Sequence, residues 1–371
     1  MTAPIDEVAG VVQRRLWAEG VGNRPLPERI DSMVADELPV HGATARRDAA
    51  AAVLALVSGL GPLQPLADDP AVTEIMVNAG REVWTERAGV VARTDVIIEP
   101  EVVVELARRM AAQVGRRLDR VNPSVDARLA DGARLHAIIP PLAVDGPCLT
   151  IRRFAPGAVE LAELAGPATG LLRRAVRRSA CIVVAGATSS GKTTLLNALG
   201  REIGADRVVT IEDAAELDLG ADHVVRLETR PAGEGVAAVG MRELVRHALR
   251  MRPDRIICGE MRGAEALDLV QAMNTGHTGS MSTVHANGVA DALRRIETMM
   301  LLGDAELPLA AIRDQLASCI DLVVHMGRAE GARRRVVEVA EVPSSFSDGW
   351  TPEPLFVNGV EAGSPTRRWA A

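Results

Sequence analysis

The stretch CIVVAGATSSGKTTLLNALG, residues 181–200, decides the fold of the second half of this chain. It contains the run GATSSGKT, Gly186 to Thr193, in which four residues separate the first glycine from Gly-Lys-Thr, as in a phosphate-binding loop. Lys192 is the only lysine among the 42 lysine and arginine residues. The chain thus uses arginine at every other basic position and has its one compact ammonium where the loop would bind a phosphate. An apolar strand before the run and a helix after it complete the motif's context. The sequence therefore predicts a nucleotide-binding protein.

The length and composition of the chain limit the classes of protein to which it can belong. With 371 residues the chain is too long for one ordinary core, which favours two or three domains. A net charge of −7 and 2% aromatic residues argue against a surface that holds nucleic acid without sequence preference. No apolar run reaches the 18 or so residues that span a bilayer, and the N-terminus does not resemble a signal peptide. The cysteines are far apart in sequence, which favours free thiols over disulfides or zinc: Cys148, Cys181, Cys258 and Cys319. We therefore expect a cytoplasmic protein whose membrane role depends on partners.

The rhythm of apolar residues predicts five segments. Residues 1–60 form an N-terminal helical segment, and residues 61–153 alternate strand and helix patterns as a small α+β domain. Residues 154–168, rich in proline and glycine, are the expected linker. Strands alternate with helices over residues 169–345, which is typical of a mostly parallel sheet with helices on both faces. Residues 346–371 are expected to be a loosely held tail, because they contain Pro352, Pro354 and Pro365.

The phosphate loop assigns roles to its own residues. Backbone N–H groups from Thr188 to Thr194 can wrap the β-phosphate, and the start of the helix adds a partial positive charge. Lys192 would bridge the β- and γ-phosphates, and the Thr193 hydroxyl would be a Mg²⁺ ligand. The residues predicted to bind nucleotide here are Gly186, Ala187, Thr188, Ser189, Ser190, Gly191, Lys192, Thr193 and Thr194.

Two acidic segments follow predicted strands. In RIICGEMRG the strand ends at Gly259, where loop ATPases usually carry an aspartate, and the acid is Glu260. That carboxylate can polarise a water for in-line attack on the γ-phosphate. In TIEDAAEL, Glu212 and Asp213 can support the water shell of Mg²⁺, whereas Glu216 can simply begin a helix. For both segments, solvated acids at the end of a strand remain the alternative.

Histidines flank a later strand, and arginines follow several strands of the first half. In TGHTGSMSTVHAN, His277 and His285 stand at the two ends, and a histidine at a strand end can donate a hydrogen bond to the γ-phosphate. Taken singly, each is more often a core or turn residue than a nucleotide contact, and their spacing is not that of a metal site. Arg134 and Arg152 can face a phosphate across a domain cleft or a subunit boundary. In this chain an arginine-rich solvated face is the alternative.

Four blocks, in this order, resemble the secretion and pilus-assembly ATPase superfamily of type II and type IV systems: GATSSGKT, TIEDAAEL, RMRPDRIICGEMRGAEALD and AMNTGHTGSMSTVHAN. The segments GLGPLQPLADDPAVTEIMVN and DARLADGARLHAIIPPLAVDGPCLTIRRF are similar to the branch that assembles tight-adherence (Flp-type) pili, which is also associated with conjugal transfer. The resemblance covers roughly residues 55–345. The absence of a tetracysteine zinc module argues against the type II secretion and pilus-extension branches.

This resemblance implies both a fold and an assembly that works with membrane proteins. The fold would be α/β, a RecA-like P-loop domain preceded by a small PAS-like α+β domain and the helical segment. The chain would form a homo-hexameric ring on the cytoplasmic face of the inner membrane, driving platform proteins there with ATP and Mg²⁺. By position, Lys192, Glu260, Glu212 and His285 carry over as catalytic residues, with His285 contacting the γ-phosphate. Arg134 and Arg152 carry over as phosphate contacts of the first domain, and Arg226 and Arg230 as subunit-interface arginines.

Three other functions remain open from the residues alone. A conjugation-type or RecA-like nucleic-acid translocase would share the phosphate loop, although the acidic charge and few aromatic residues argue against it. A nucleotide-dependent switch with negligible turnover would suit the unusual Gly259-Glu260 pair. A small-molecule kinase is disfavoured, because no Arg- and Gly-rich lid segment lies between the later strands.

Overall fold

The computed structural model describes residues 8–12, 15–16, 25–39, 41–57, 59–87, 89–153, 159–230, 232, 236–303, 307–328, 334–346 and 349–370. The chain divides into two units, Met1–Pro156 and Gly157–Ala371. Each unit has an apolar core of its own.

Helices open the first unit. In α1 (Leu26–Glu37) the buried residues Ile30, Met33 and Val34 are spaced three or four apart and form one apolar stripe. They belong to the same small core as Ala49 and Val53 of α2 (Ala43–Val57). A 3₁₀ turn and the short helix α3 (Gln64–Asp68) then lead into a sheet.

The sheet of the first unit has six strands, all paired antiparallel, in the spatial order β3-β2-β1-β6-β5-β4. The strands are β1 (Val72–Asn78), β2 (Glu82–Arg87), β3 (Val90–Ile97), β4 (Ser124–Arg128), β5 (Arg134–Ile138) and β6 (Cys148–Arg152), with helix α4 (Pro100–Gln113) between β3 and β4. Alternate residues such as Ile75, Leu135 and Ile151 are buried, so one face of the sheet packs on the core. Gly132, with φ of 89°, makes the tight turn between β4 and β5.

A nine-stranded sheet forms the centre of the second unit, in the order β15-β14-β13-β12-β7-β11-β10-β8-β9. The six strands from β12 to β9 are parallel, and β13 to β15 extend the sheet antiparallel. The strands are β7 (Ile182–Gly186), β8 (Val208–Glu212), β9 (Val224–Glu228), β10 (Arg255–Cys258), β11 (Met281–His285), β12 (Leu322–Arg328), β13 (Arg334–Glu341), β14 (Glu353–Val357) and β15 (Val360–Glu361).

Helices cover both faces of this sheet. On one face lie α5 (Leu161–Ala165), α6 (Thr169–Arg177) and α7 (Lys192–Gly200), and on the other α8 (Met241–Ala248), α9 (Glu265–Asn274), α10 (Val289–Leu301) and α11 (Leu309–Cys319). Every residue of β7, β8 and β10 is therefore buried, as their mostly apolar sequences indicate. Because the carboxyl ends of parallel strands share one edge, the segments that follow β7, β8, β10 and β11 converge there.

The expected linker, residues 154–168, is corrected by the structure over the part that is described. Leu161 and Leu164 of α5 and Ala168 of the following 3₁₀ turn are buried in a core of the second unit. Gly166 and Pro167 thus make a tight connection between two packed helices of the second unit, where the sequence indicated a linker between domains. Residues 154–158 lie outside the described residues.

The expected loose tail, residues 346–371, is also corrected. Over its described residues this segment adds β14 and β15 to the sheet, and the indole of Trp369 is buried. Pro354 is accommodated because the pairing of β13 with β14 shifts register beside it. The prolines therefore mark bends in a packed segment.

Within the part of the chain that the structure describes, no helix is both long and apolar enough to cross a bilayer.

Candidate nucleotide-binding site

The phosphate loop connects β7 to α7 through a tight backbone turn. A Cβ at Gly186 would lie 2.8 Å from the carbonyl oxygen of Met326, so only glycine fits between β7 and β12. Ser189 and Gly191 have φ of 58° and 97°, in the left-handed region, and α7 begins directly after Gly191. The first four N–H groups of any helix lack partners within it. The loop and the start of α7 thus form an anion-binding shape.

Lys192 is held inside this loop. It is 7% exposed, and its ammonium donates to the carbonyls of Gly186 at 3.1 Å and Ala187 at 3.0 Å. Burial lowers the pKa of Lys192, and the nearby Glu260 carboxylate opposes this shift. An anion beside the ammonium would restore the preference for the charged form.

The other predicted loop residues surround Lys192 in sequence and in space. Ala187, Thr188 and Ser189 are exposed, whereas Ser190 is buried, and its hydroxyl oxygen has no hydrogen-bond partner among the described residues. Thr193 and Thr194 are half-buried on the first turn of α7.

Glu260 and His285 meet at the ends of neighbouring strands. His285 ends β11, Glu260 follows β10 by two residues, and Nε2 of the imidazole lies 2.6 Å from Oε1 of the carboxylate. This approach lacks the alignment of a hydrogen bond, so Oε1 keeps a lone pair free among the described residues. On its other side, Nδ1 of His285 lies 3.4 Å from Nζ of Lys192. One imidazole therefore stands between the loop ammonium and a carboxylate.

Glu212, at the end of β8, is the buried acid of the site. Its Oε1 accepts the N–H groups of Glu216 and Leu217, each at 2.9 Å, and its Oε2 has no hydrogen-bond partner in the described part of the chain. Burial raises the pKa of Glu212 to about 7, and the two N–H groups oppose the shift. Glu216, by this contact, belongs to the turn that Glu212 organises.

The glycine at the tip of β10 is explained by Glu212. A Cβ at Gly259 would lie 3.0 Å from Cγ of Glu212, tighter than ordinary van der Waals contact. The Glu212 side chain thus fills the space that an aspartate at position 259 would need. The acid of this strand accordingly moves to position 260.

Arg262 is a site residue that the sequence did not reveal. Its Nε donates to Oε2 of Glu260 at 2.8 Å, its Nη1 donates to Oδ2 of Asp213 at 3.0 Å, and its Nη2 forms an ion pair with Oε2 of Glu260 at 2.6 Å. Asp213 follows β8, so Arg262 joins the ends of two strands. The only signal in the sequence was its place two residues after Glu260.

The arginines predicted in the first unit share one face of its sheet. Arg134 pairs directly with Arg152 across β5 and β6, and with Arg128 across β4 and β5, so the three stand in one row. Arg134 lies 3.6 Å from a carboxylate oxygen of Asp126. The geometry makes a cationic row, and phosphate contact by Arg134 and Arg152 stays a prediction.

Three further candidate residues make polar contacts with backbone carbonyls of the second unit: Arg226, Arg230 and His277. The guanidinium groups of Arg226 and Arg230 donate to the carbonyls of Ala215 at 2.8 Å and Ala237 at 3.1 Å. Their role at a subunit interface stays a prediction. His277 precedes β11, at the end opposite His285, and its Nδ1 lies 3.1 Å from a carbonyl oxygen of α9. This geometry is that of a turn residue.

Comparison with known proteins agrees with the site. The family model described as type II/IV secretion system protein matches residues 57–345. A putative conjugal transfer protein of Mycobacterium tuberculosis is 40% identical over 299 residues, which cover 76% of this chain and 84% of that protein. The type IV secretion system protein VirB11 of Brucella suis biovar 1 is 34% identical over 324 residues, 77% of this chain and 90% of that protein.

The fold is also found among solved structures. The crystal structure of the pilus retraction motor PilT with bound ADP has a TM-score of 0.56 to this chain at 20% identity, covering 77% of this chain and 83% of that chain. This similarity, which concerns the fold alone, confirms the α/β class with a RecA-like domain. From the family model and the two relatives, we conclude that this chain belongs to the type II/IV secretion ATPase family.

Proposed function

We propose that this chain hydrolyses ATP and that the turnover powers assembly of a pilus-like filament or protein secretion. The observation that carries the proposal is the position of the His285 imidazole. It stands 3.4 Å from the ammonium of Lys192 and 2.6 Å from the carboxylate of Glu260. The ammonium that binds phosphate and the candidate base therefore lie on either side of the His285 imidazole. This imidazole can contact the γ-phosphate and both of these groups.

Lys192 and the loop backbone bind the phosphates in this proposal. The ammonium is buried, so a phosphate oxygen beside it gains more from the charge than it would in water. The N–H groups at the start of α7 add donors for the β-phosphate. Neutral His285 donates to a γ-phosphate oxygen from the tip of β11.

Glu260 acts on the attacking water. Its Oε1 has a free lone pair in the described structure and accepts one proton as the water oxygen bonds to the γ-phosphorus. The bond from the γ-phosphorus to the bridging oxygen breaks, and ADP leaves with that electron pair. The proton on Glu260 then passes to solvent, which completes ATP plus water to ADP, phosphate and a proton.

The residues present also fit a magnesium ion. Oε2 of Glu212 is a buried carboxylate oxygen without a hydrogen-bond partner among the described residues, and oxygen donors of this kind suit hydrated Mg²⁺. The hydroxyl of Thr193 would be its direct ligand from the protein. When bound, Mg²⁺ neutralises charge on the β- and γ-phosphate oxygens.

We further propose the assembly in which this ATPase works. It forms a homo-hexamer at the cytoplasmic face of the inner membrane and acts on membrane platform proteins, in a tight-adherence pilus or a related conjugal-transfer system. Two relatives matched over most of their length, named for conjugal transfer and type IV secretion, support this proposal. Arg134 and Arg152 would contact phosphate from the first unit, and Arg226 and Arg230 would lie at the subunit boundary.

The deciding experiment measures ATP turnover against protein concentration, together with the mass of the assembled species. It uses the wild type, Glu260→Gln and the control Glu361→Gln, an exposed glutamate on β15. We expect turnover to rise as the hexamer forms, the control to match the wild type, and Glu260→Gln to bind ATP without hydrolysing it. Normal turnover by Glu260→Gln would remove Glu260 from the mechanism. Binding without hydrolysis in all three proteins would favour the nucleotide switch.

One relative's association with conjugal transfer makes nucleic-acid translocation the second function to test. Single-stranded DNA is added to the same assay over a range of salt concentrations. Stimulation that falls steeply with salt would favour the translocase. We expect no stimulation, because the chain is acidic overall and poor in aromatic residues.

A further inference from the structure

We propose that Arg262 is a positioning residue for the reaction, which holds Glu260 so that Oε1 is the oxygen presented to the attacking water. This inference rests on the proposed role of Glu260. It assigns a function to a side chain that would otherwise be one more arginine on an arginine-rich surface.

The two oxygens of the Glu260 carboxylate have different surroundings. Both contacts from Arg262, at 2.6 Å and 2.8 Å, go to Oε2, whereas Oε1 faces His285 and has no aligned donor. The Nε contact is a hydrogen bond and the Nη2 contact is an ion pair, and because the guanidinium is rigid and planar the two together hold Oε2 in place. Arg262 therefore leaves Oε1 as the oxygen that is free to accept a proton.

Arg262 is held at both its backbone and its guanidinium. Its backbone N–H donates to Oε1 of Glu265 at 2.6 Å, and the N–H of Gly263 donates to the same oxygen at 2.7 Å. Glu265 is 9% exposed and lies in the first turn of α9. At the far end, the guanidinium donates to Asp213, beyond the end of β8. The side chain is thus held between two strand ends and a helix start.

Arg262 also offsets negative charge at this edge of the sheet. Three acids, Glu212, Asp213 and Glu260, follow or end neighbouring strands of one edge, and like charges this close repel. Arg262 contacts two of them at once. Without it, the Glu260 side chain would turn away from Asp213 or lose its fixed plane, and a displacement of about 1 Å at a reacting group can lower a rate by about 100-fold.

Arg262 is a suitable residue to substitute, because its side chain is 54% exposed. The control is Arg173→Ala, whose guanidinium is 43% exposed and also pairs with a glutamate, Glu202, at 2.8 Å. For Arg262→Ala we expect kcat to fall by about 10- to 100-fold, with the KM for ATP changed by no more than about twofold. Arg262→Lys should be intermediate, because one ammonium cannot bridge both acids.

Two further measurements separate positioning from a merely structural role. Guanidinium ion at tens of millimolar should restore part of the kcat of Arg262→Ala and none of that of Glu260→Gln. The double variant Glu260→Gln/Arg262→Ala should be no slower than Glu260→Gln alone, since Arg262 acts through Glu260. Asp213→Asn, which loosens the far end of Arg262, should lower kcat by a smaller factor and add nothing to Arg262→Ala.

The outcomes keep this inference apart from the proposed function. If Glu260→Gln abolishes turnover and both Arg262 variants keep the wild-type kcat, the positioning role is overturned and the proposed function stands. A raised KM at unchanged kcat would place Arg262 on the nucleotide and also overturn it. Normal turnover by Glu260→Gln would defeat the proposed function itself. Should Arg262→Ala unfold, Arg262→Lys and Asp213→Asn decide by the same criteria.

Discussion

Nε2 of His285 lies 2.6 Å from Oε1 of Glu260, although the two residues come from different strands. Burial lowers the pKa of His285 below its usual 6.5; Glu260 opposes the shift, and Lys192, Arg262 and Arg295 add to it. The imidazole is therefore neutral at pH 7, so it does not form a full ion pair with the Glu260 carboxylate. The chemistry of Glu260 depends on that neutrality.

The first prediction concerns pH and activity. As the pH falls below about 6.5, His285 should become protonated, and its imidazolium should donate a hydrogen bond to Oε1 of Glu260. That oxygen could then no longer accept a proton from the attacking water, so kcat should decline. The acid limb should lie below pH 6.5, because the pKa of His285 is lowered. His285→Gln should be slower at pH 7 and should lose this limb in a pH–rate profile of kcat. His247→Gln, an exposed histidine on α8, is the control. An unchanged acid limb in His285→Gln would exclude His285 as its origin.

A second prediction concerns the single lysine. Lys192→Arg keeps the charge but replaces a compact ammonium, hydrogen-bonded to two loop carbonyls, with a planar guanidinium that does not fit the loop. ATP affinity should fall by at least about tenfold, or about 1.4 kcal/mol, in titration calorimetry. The reverse exchange at an exposed helix position, Arg173→Lys, should leave affinity unchanged. Equal binding by wild type and Lys192→Arg would mean that only charge matters at position 192.

A third prediction follows from the buried acid Glu212. Its pKa is raised to about 7 in the folded protein and is about 4.3 for an exposed glutamate. Between these values the folded state binds more protons than the unfolded state, so this group makes the protein less stable as pH rises. In Glu212→Gln this pH-dependent contribution to the stability is absent. Without nucleotide and with metal chelated, the Tm of the variant relative to wild type should increase from about pH 5 to about pH 8. A constant difference would show that Glu212 does not titrate in this window.

Much of the second unit could be predicted from the sequence. The mostly apolar sequences of β7, β8 and β10 indicate a sheet covered on both faces, and the order of strands and helices indicates parallel pairing. Parallel strands bring their carboxyl ends to one edge. This geometry places the ends of these strands together, and the resemblance to the secretion ATPases selected Lys192, Glu212, Glu260 and His285 as the residues of one site.

Arg262 could not be predicted in the same way. In a chain that uses arginine almost everywhere, an arginine two residues after Glu260 forms no pattern. Its partner Asp213 lies 49 residues away in sequence and meets it only because β8 and β10 are neighbours. The packed C-terminal segment was missed for a different reason: its prolines indicated a loose chain, whereas β14 pairs with the preceding strand β13, with a shift of register beside Pro354.

A fourth prediction tests why the tip of β10 is glycine. In Gly259→Ala the new Cβ would lie 3.0 Å from Cγ of Glu212, whose own position is fixed by two backbone N–H groups. Overpacking of this kind costs about 1–3 kcal/mol, which for a unit of this size lowers Tm by several degrees. Gly204→Ala is the control, because a Cβ there meets no atom within 4 Å. If the two variants melt alike, Glu212 can move aside, and the steric account of Gly259 is wrong.

The final prediction concerns the C-terminal segment. Nε of Arg367 donates to Oδ1 of Asp321 at 3.0 Å, and its other nitrogens donate to three backbone carbonyls at 2.7 to 3.0 Å. Asp321 is fully buried, and its second oxygen accepts the N–H of Cys181 just before β7. Arg367 thus fastens the end of the described chain to the strand that leads into the phosphate loop.

Removing Arg367 should therefore destabilise the second unit strongly. Arg367→Ala leaves the buried carboxylate of Asp321 without its cation, which typically costs about 3–5 kcal/mol. The loss should appear as a lower urea midpoint with unchanged slope, and Arg335→Ala, an exposed arginine on β13, should match the wild type. Adding Asp321→Asn should recover part of the loss, because the uncompensated charge is removed. A wild-type midpoint for Arg367→Ala would mean that the segment is held loosely, as its prolines had indicated.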